Sequence, residues 1–160
     1  MKVIYPGTFD PLTKGHLDII DRSVNIFGDL TVAVSKDSEK NIYFSLEERV
    51  KMIGETLGIR SRVHIKSYSG LLSNYVRKTG FNIIVRGLRN SSDLSFELRL
   101  FNINKKLYKN TETVFMAPSE ENIFISSTSV REIIKKGGDI GNLVPKQVKS
   151  IIEKGRGLCL

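Results

Sequence analysis

Short runs rich in Val and Ile recur along the chain between longer stretches in which apolar residues return every three or four positions. The runs are the strand candidates, Lys2 to Tyr5, Leu30 to Ser35, Arg62 to Lys66, Phe81 to Arg86 and Glu112 to Ala117. Each is followed by a segment of helical period. The first, from about His16 to Phe27, puts Leu17, Ile20, Val24 and Phe27 on one stripe and stops at Gly28. The second opens on Ser45 and Glu48, spaced as a capping box, and stops near Gly58. A third spans Leu71 to Thr79 and ends at Gly80. A fourth, Leu94 to Tyr108, carries Leu94, Leu98 and Phe101 on one stripe. Ser129 and Glu132 offer a cap for a fifth, bearing Val130, Ile133 and Ile134, and Pro145 suits the first turn of a last helix with Val148, Ile151 and Ile152.

Strand and helix alternate over residues 1–160 with no internal repeat or linker, which predicts one α/β domain. Its sheet is expected to be Rossmann-like: five parallel strands, doubly wound, with helices on both faces. In such sheets ligands bind beyond the carboxyl ends of the strands, so the loops after each strand carry the chemistry.

Composition narrows the setting. Of 160 residues, 40% are hydrophobic, and no apolar run approaches the roughly 18 residues of a membrane span. The single cysteine, Cys159, cannot close an internal disulfide, and the first residues enter a strand pattern without a signal-peptide core. A soluble, cytoplasmic protein without a membrane partner is expected. Lys and Arg exceed Asp and Glu, 25 to 17, for a net charge of +8. That excess suits an anionic partner, but it is scattered over both halves with no basic tail, so no nucleic-acid partner is expected.

Three loops stand out. Tyr5 to His16 is long for a strand-to-helix loop and holds two Pro and two Gly; Gly7 permits close backbone approach, Thr8 offers a hydroxyl, and His16 falls at the start of a helix, where phosphates bind. The helix dipole there favours a neutral imidazole able to donate one hydrogen bond to a phosphoryl oxygen. Arg86-Gly87-Leu88-Arg89 offers two guanidinium forks to a small anion. Ser126 to Ser129 opens a helix with a row of hydroxyls, one turn before Arg131. Read blandly, the same residues are helix caps and surface charge. No metal site can be assembled from His16, His64 and Cys159, and His64, alternating with Val63 and Ile65, reads as structural. The residues alone leave open whether an anionic ligand is processed by an enzyme or held by a non-catalytic nucleotide- or nucleic-acid-binding module.

Thr13-x-Gly15-His16 and, later, Ile125-Ser126-Ser127-Thr128-x-x-Arg131 form an ordered pair that resembles the two signatures of the nucleotidyltransferase superfamily. Three longer strings, Tyr5 to Ile20, Phe44 to Val50 and Val85 to Arg89, resemble the bacterial phosphopantetheine adenylyltransferases within it, a likeness covering nearly the whole chain. Sibling enzymes with other phosphorylated acceptors usually carry His where Thr13 stands. The resemblance implies adenylyl transfer from ATP to 4′-phosphopantetheine, by direct in-line attack without a covalent enzyme intermediate. It implies catalytic roles for Thr8, His16 and Lys40. Thr8, Lys40, Leu72 and Arg86 would meet 4′-phosphopantetheine. ATP would meet Thr8, Phe9, His16, Gly87, Leu88, Arg89 and Glu97, then Asn122, Ile123, Phe124, Ile125, Ser126, Ser127 and Thr128. Asn122 stands where an aromatic residue is common. Mg²⁺ is expected to arrive with the nucleotide, bound mainly through the ATP phosphates, and no residue is assigned as a metal ligand. The resemblance further implies that coenzyme A acts as a feedback ligand and that the assembly is a homohexamer.

Overall fold

Strands β1 (Val3–Gly7), β2 (Leu30–Ser35), β3 (Val63–Tyr68), β4 (Ile83–Gly87) and β5 (Glu112–Met116) pair in parallel in the order β3-β2-β1-β4-β5. They do so in a computed structural model of the chain, which describes residues 1–37 and 42–156. Around the sheet lie α1 (Lys14–Phe27), α2 (Leu46–Leu57), α3 (Leu72–Thr79), α4 (Ser91–Leu107), α5 (Ser127–Lys135) and α6 (Lys146–Arg156), with a 3₁₀ turn at Glu120–Asn122. The doubly wound parallel sheet is the architecture that the alternating pattern predicts.

Period-two alternation divides the core between the two faces of the sheet. Val3 and Tyr5 of β1, with Leu30, Val32 and Val34 of β2, join the larger cluster, which also takes Ile20 of α1, Ile53 of α2, Val130 of α5 and Val148 of α6. Ile4, Ala33 and Ile84 turn the other way, onto Val76 and Phe81. Each fully buried Ile or Leu contributes about 2 kcal/mol. On α1 the deeply buried positions are Ile19, Ile20 and Ser23, whereas Leu17, Val24 and Phe27 of the expected stripe are only partly covered. The helix faces the sheet a little to one side of the expected stripe.

Local chemistry sets most helix ends. Ser45 and Glu48 cap one another's backbone as expected, Glu48 N–H to Ser45 Oγ at 3.2 Å and Ser45 N–H to Glu48 Oε2 at 2.7 Å. The cap of α5 is Ser126, not Ser129: Ser126 Oγ accepts the Ser129 N–H at 3.0 Å, which starts the helix three residues before the expected cap. The expected stripe of α4 is corrected too. Leu94 and Leu98 are exposed and Phe101 is half-buried, while Glu97 is buried. An ion pair, described below, turns this face of α4 inward in place of an apolar stripe.

The pairing of β1 creates the crevice. β1 stays in register with β2 through Gly7, opposite Val34, and β4 with β5 through Gly87, opposite Met116. Between β1 and β4 only Val3–Ile83 and Ile4–Ile84 pair. Beyond those residues the two strands diverge at their carboxyl ends, at the point where the strand order reverses, and the sheet opens there.

Candidate active site

A cleft of about 910 Å³ lies at this divergence. The long loop after β1 forms one wall. In it Phe9 has a left-handed backbone (φ 51°), uncommon for a bulky residue, and Asp10–Pro11 is a cis peptide. The Phe9 ring is buried, edge-on to Tyr5 at 5.4 Å and to His16 at 5.1 Å between centroids. What approaches Gly7 closely is this ring: a Cβ there would lie 2.9 Å from Phe9 Cζ.

Thr13 caps α1. The Thr13 N–H donates to His16 Nδ1 at 3.1 Å, and the Thr13 hydroxyl lies 3.0 Å from the same nitrogen. Acceptance at Nδ1 leaves the ring proton on Nε2. Burial, and after it the positive charge of Arg89, push the His16 pKa down from 6.5 to about 4. The expected neutral imidazole is present, and its protonation is suppressed chiefly by desolvation. Beside it, burial pushes the Tyr5 phenol up even though Arg86 and Arg89 act to lower it, so it stays a neutral hydroxyl.

The two arginines at the carboxyl end of β4 and just beyond it are not open forks. Arg86 donates from Nε to Glu97 Oε2 at 2.7 Å, from Nη2 to Glu97 Oε1, and from Nη1 to the Pro6 carbonyl at 3.0 Å. The last bond satisfies a carbonyl on β1 beyond its paired stretch with β4. Burial works against the Arg86 charge, and the Glu97 carboxylate outweighs it, so the guanidinium is held above its ordinary pKa. Arg89 binds Asp93 one turn into α4, through Nε at 3.0 Å and its own N–H at 3.1 Å. A carboxylate therefore already holds each arginine in place, which the spacing of the loop did not reveal.

The hydroxyl row meets the first loop. Ser127 Oγ donates to the Pro11 carbonyl at 2.9 Å, and Arg131 Nη1 to the Asp10 carbonyl at 2.6 Å, with the Asp10 carboxylate 3.5 Å from the same nitrogen. Thr128 Oγ1 accepts from Arg131 Nη2 at 3.3 Å. Thus the early and late motifs are joined directly, and the N-termini of α1 and α5 open on one cleft.

Of the residues expected at the site, Thr8, Phe9, His16, Arg86, Gly87 and Arg89 line this cleft, as do Leu72, Glu97, Ile125, Ser126, Ser127 and Thr128. Leu88, Asn122, Ile123 and Phe124 do not; Phe124 is 90% exposed. Asn122 Nδ2 is turned to Ser119 Oγ at 2.8 Å. Lys40, like Cys159, lies outside the described residues. Two buried charged residues have no role in the sequence analysis, Asp10 and Arg49. The signal for Asp10 was its place between two prolines of the first motif, and for Arg49 its place in the Phe44–Val50 string.

Residues 4–133 match the family described as cytidylyltransferase-like. The chain is 49% identical over 143 residues to the phosphopantetheine adenylyltransferase of Nitrosomonas eutropha, covering 89% of this chain and 87% of that one. It is 46% identical to the protein of that name from Haemophilus influenzae over 146 residues (91% and 94%), and 43% identical to that of Ralstonia pickettii over 154 (96% and 92%). The chain belongs to the phosphopantetheine adenylyltransferase family. Among the described residues no three or more His, Cys, Asp or Glu side chains gather as a metal site, and no helix is long and apolar enough to cross a membrane.

Proposed function

We propose that this protein transfers the adenylyl group of ATP to 4′-phosphopantetheine, forming dephospho-coenzyme A and pyrophosphate in coenzyme A biosynthesis. The observation that carries the reading is the convergence of Thr8, His16, Arg86, Arg89 and Ser127 on one cleft, in a chain 43–49% identical to proteins named for that activity.

An oxygen of the 4′-phosphate attacks the α-phosphorus of ATP. The bond to the bridging oxygen breaks, and pyrophosphate leaves with the electron pair. The acceptor is itself an anionic nucleophile, so no covalent enzyme intermediate is needed, and the protein's task is alignment and charge stabilisation. Thr8 orients the acceptor phosphate. His16, a neutral Nε2–H donor, hydrogen-bonds the transferring phosphoryl group, and its low pKa keeps it in that one form. The α1 and α5 N-termini offer backbone N–H groups to ATP, while Arg89 and the Arg86–Glu97 pair shape the β4 side. Lys40 is proposed to bind the acceptor phosphate and Leu72 to line the path of the pantetheine arm.

The carboxylates facing the cleft are already engaged: Asp10 by the Tyr43 and Phe44 N–H groups, Asp37 by the Gly70 N–H, Asp93 by Arg89 and Glu97 by Arg86. That suits Mg²⁺ arriving on the ATP phosphates, where it neutralises their charge. We further propose coenzyme A as a feedback ligand and the homohexamer as the working assembly. Leu94, Phe96, Leu98, Ile103 and Leu107 of α4 are exposed, which supports association of copies through this helix. Sedimentation at micromolar concentration is expected to give a hexamer, and a monomer refutes it.

The test offers the purified protein ATP and Mg²⁺ with 4′-phosphopantetheine or nicotinate mononucleotide, or CTP with glycerol-3-phosphate, while pyrophosphate is followed. Release with 4′-phosphopantetheine alone is expected. Release only with either rival acceptor identifies a sibling enzyme and overturns the reading, and nucleotide binding without any turnover identifies a non-catalytic module.

A further inference from the structure

Arg49 is 1% exposed, yet none of the described carboxylates lies within ion-pair distance of it. Its guanidinium is spent on the main chain: Nε donates to the Phe44 carbonyl at 3.1 Å, and Nη1 donates to the Thr8 carbonyl at 2.8 Å and the Ser35 carbonyl at 2.9 Å. Burial lowers its pKa, with Asp10 acting in the opposite sense. A charge kept this deep without a paired anion costs more than an apolar side chain of the same length would, and three carbonyls from three segments are what it secures.

Those carbonyls are placed tellingly. The Thr8 carbonyl belongs to the peptide plane leading into Phe9, whose backbone is left-handed. On the far side of Phe9, the Asp10 carboxylate accepts the Tyr43 and Phe44 N–H groups, each at 2.9 Å. Hydrogen bonds from Arg49 to the Thr8 and Phe44 carbonyls and from the Phe44 N–H to Asp10 therefore make a ring that the main chain closes through Phe9. The Phe9 ring in turn stands edge-on against His16.

We infer that Arg49 is a positioning residue: by pinning the Thr8–Phe9 peptide it sets the Thr8 hydroxyl and, through the Phe9 ring, the His16 imidazole for reaction. This rests on reading the cleft as the site of adenylyl transfer. Lysine in its place keeps the charge but loses the fork, and methionine of similar length leaves all three carbonyls without their donor.

The experiment compares Arg49→Lys and Arg49→Met with wild type, all at a temperature where circular dichroism shows them folded. ATP binding by calorimetry fixes the fraction of competent chains. Arg49→Met is expected to bind ATP with unchanged stoichiometry and a Kd within about threefold, while kcat per competent chain falls about 100-fold, with Arg49→Lys between the two. Combined with His16→Ala, Arg49→Lys is expected to cost less than it does alone, because the part of its effect that passes through His16 is already gone and only the part that passes through Thr8 is left. Losses that multiply in the double variant, or a kcat that follows only the competent fraction, overturn the inference. If Arg49→Met does not fold, Arg49→Lys carries the comparison. A readout independent of turnover separates failure of the functional reading from failure of this one. The His16 imidazole resonances and their titration are expected to move in Arg49→Lys, and if they stay in place Arg49 does not position His16, whatever the substrate.

Discussion

Replacing His16 with Asn removes a titrating group while keeping an oxygen at the place of Nδ1, so the bond from the Thr13 N–H survives. In the folded chain the imidazole pKa is lowered from 6.5 to about 4. Between those values the unfolded chain takes up a proton that the folded chain refuses. The stability this difference supplies is present in full above pH 6.5 and is lost as the pH falls towards about 4. At about 1.4 kcal/mol per pH unit the loss is about 3 kcal/mol, a ceiling because the ring is only partly shielded from solvent. Urea unfolding of wild type and His16→Asn at a series of pH values tests it, since subtraction removes every other titrating group. The wild type is expected to lose up to about 3 kcal/mol relative to the variant between pH 7 and pH 4. Nitrogen-15 shifts of the ring at pH 7 are expected to show a bare Nδ1 and a protonated Nε2. A difference that stays flat with pH, or a ring that titrates near 6.5, refutes the account of a half-buried, neutral donor.

Two further expectations concern packing. Gly7→Ala would drive a methyl against the buried Phe9 ring and is expected to destabilise by about 1–3 kcal/mol and to slow turnover, measured by urea unfolding and pyrophosphate release; an unchanged kcat would separate the ring from the reacting groups. Ser73 carries the one buried side-chain oxygen among the described residues that lacks a hydrogen-bond partner, so Ser73→Ala is expected to leave the Tm unchanged or raise it. A loss above about 1 kcal/mol would reveal a partner for that hydroxyl.

What could be read from the sequence was set by neighbours in the chain. The strand runs, the Ser45–Glu48 box and the stop at Gly80, which is left-handed at φ 74° and ψ 31°, depend on residues a turn or less apart, and all are present. What was not legible depends on residues far apart. Apolar side chains lie all round α4, so the Leu94, Leu98 and Phe101 stripe was one of several its spacing allows; the reach of Glu97 to Arg86 turns another face inward. The open forks expected of Arg86 and Arg89 closed on carboxylates of the next helix, and the cap of α5 moved to Ser126. The divergence of β1 and β4 is a matter of strand pairing, invisible to periodicity. Arg49 was hidden for the same reason: an arginine in a charged helical turn reads as solvated surface, and its bonds to the Thr8 and Ser35 carbonyls, 41 and 14 residues away, show that it is not.

The bonds from Ser127 to the Pro11 carbonyl and from Arg131 to the Asp10 carbonyl join residues 116 and 121 positions apart. Neither loop can therefore be transplanted by itself. A chimera that takes the first loop from a distant relative and keeps the second must still present carbonyls where Asp10 and Pro11 hold theirs, or leave the Arg131 guanidinium and the Ser127 hydroxyl without these acceptors. The two motifs behave as one inherited part, and substitutions in one are tolerated only to the extent that the other already fits them.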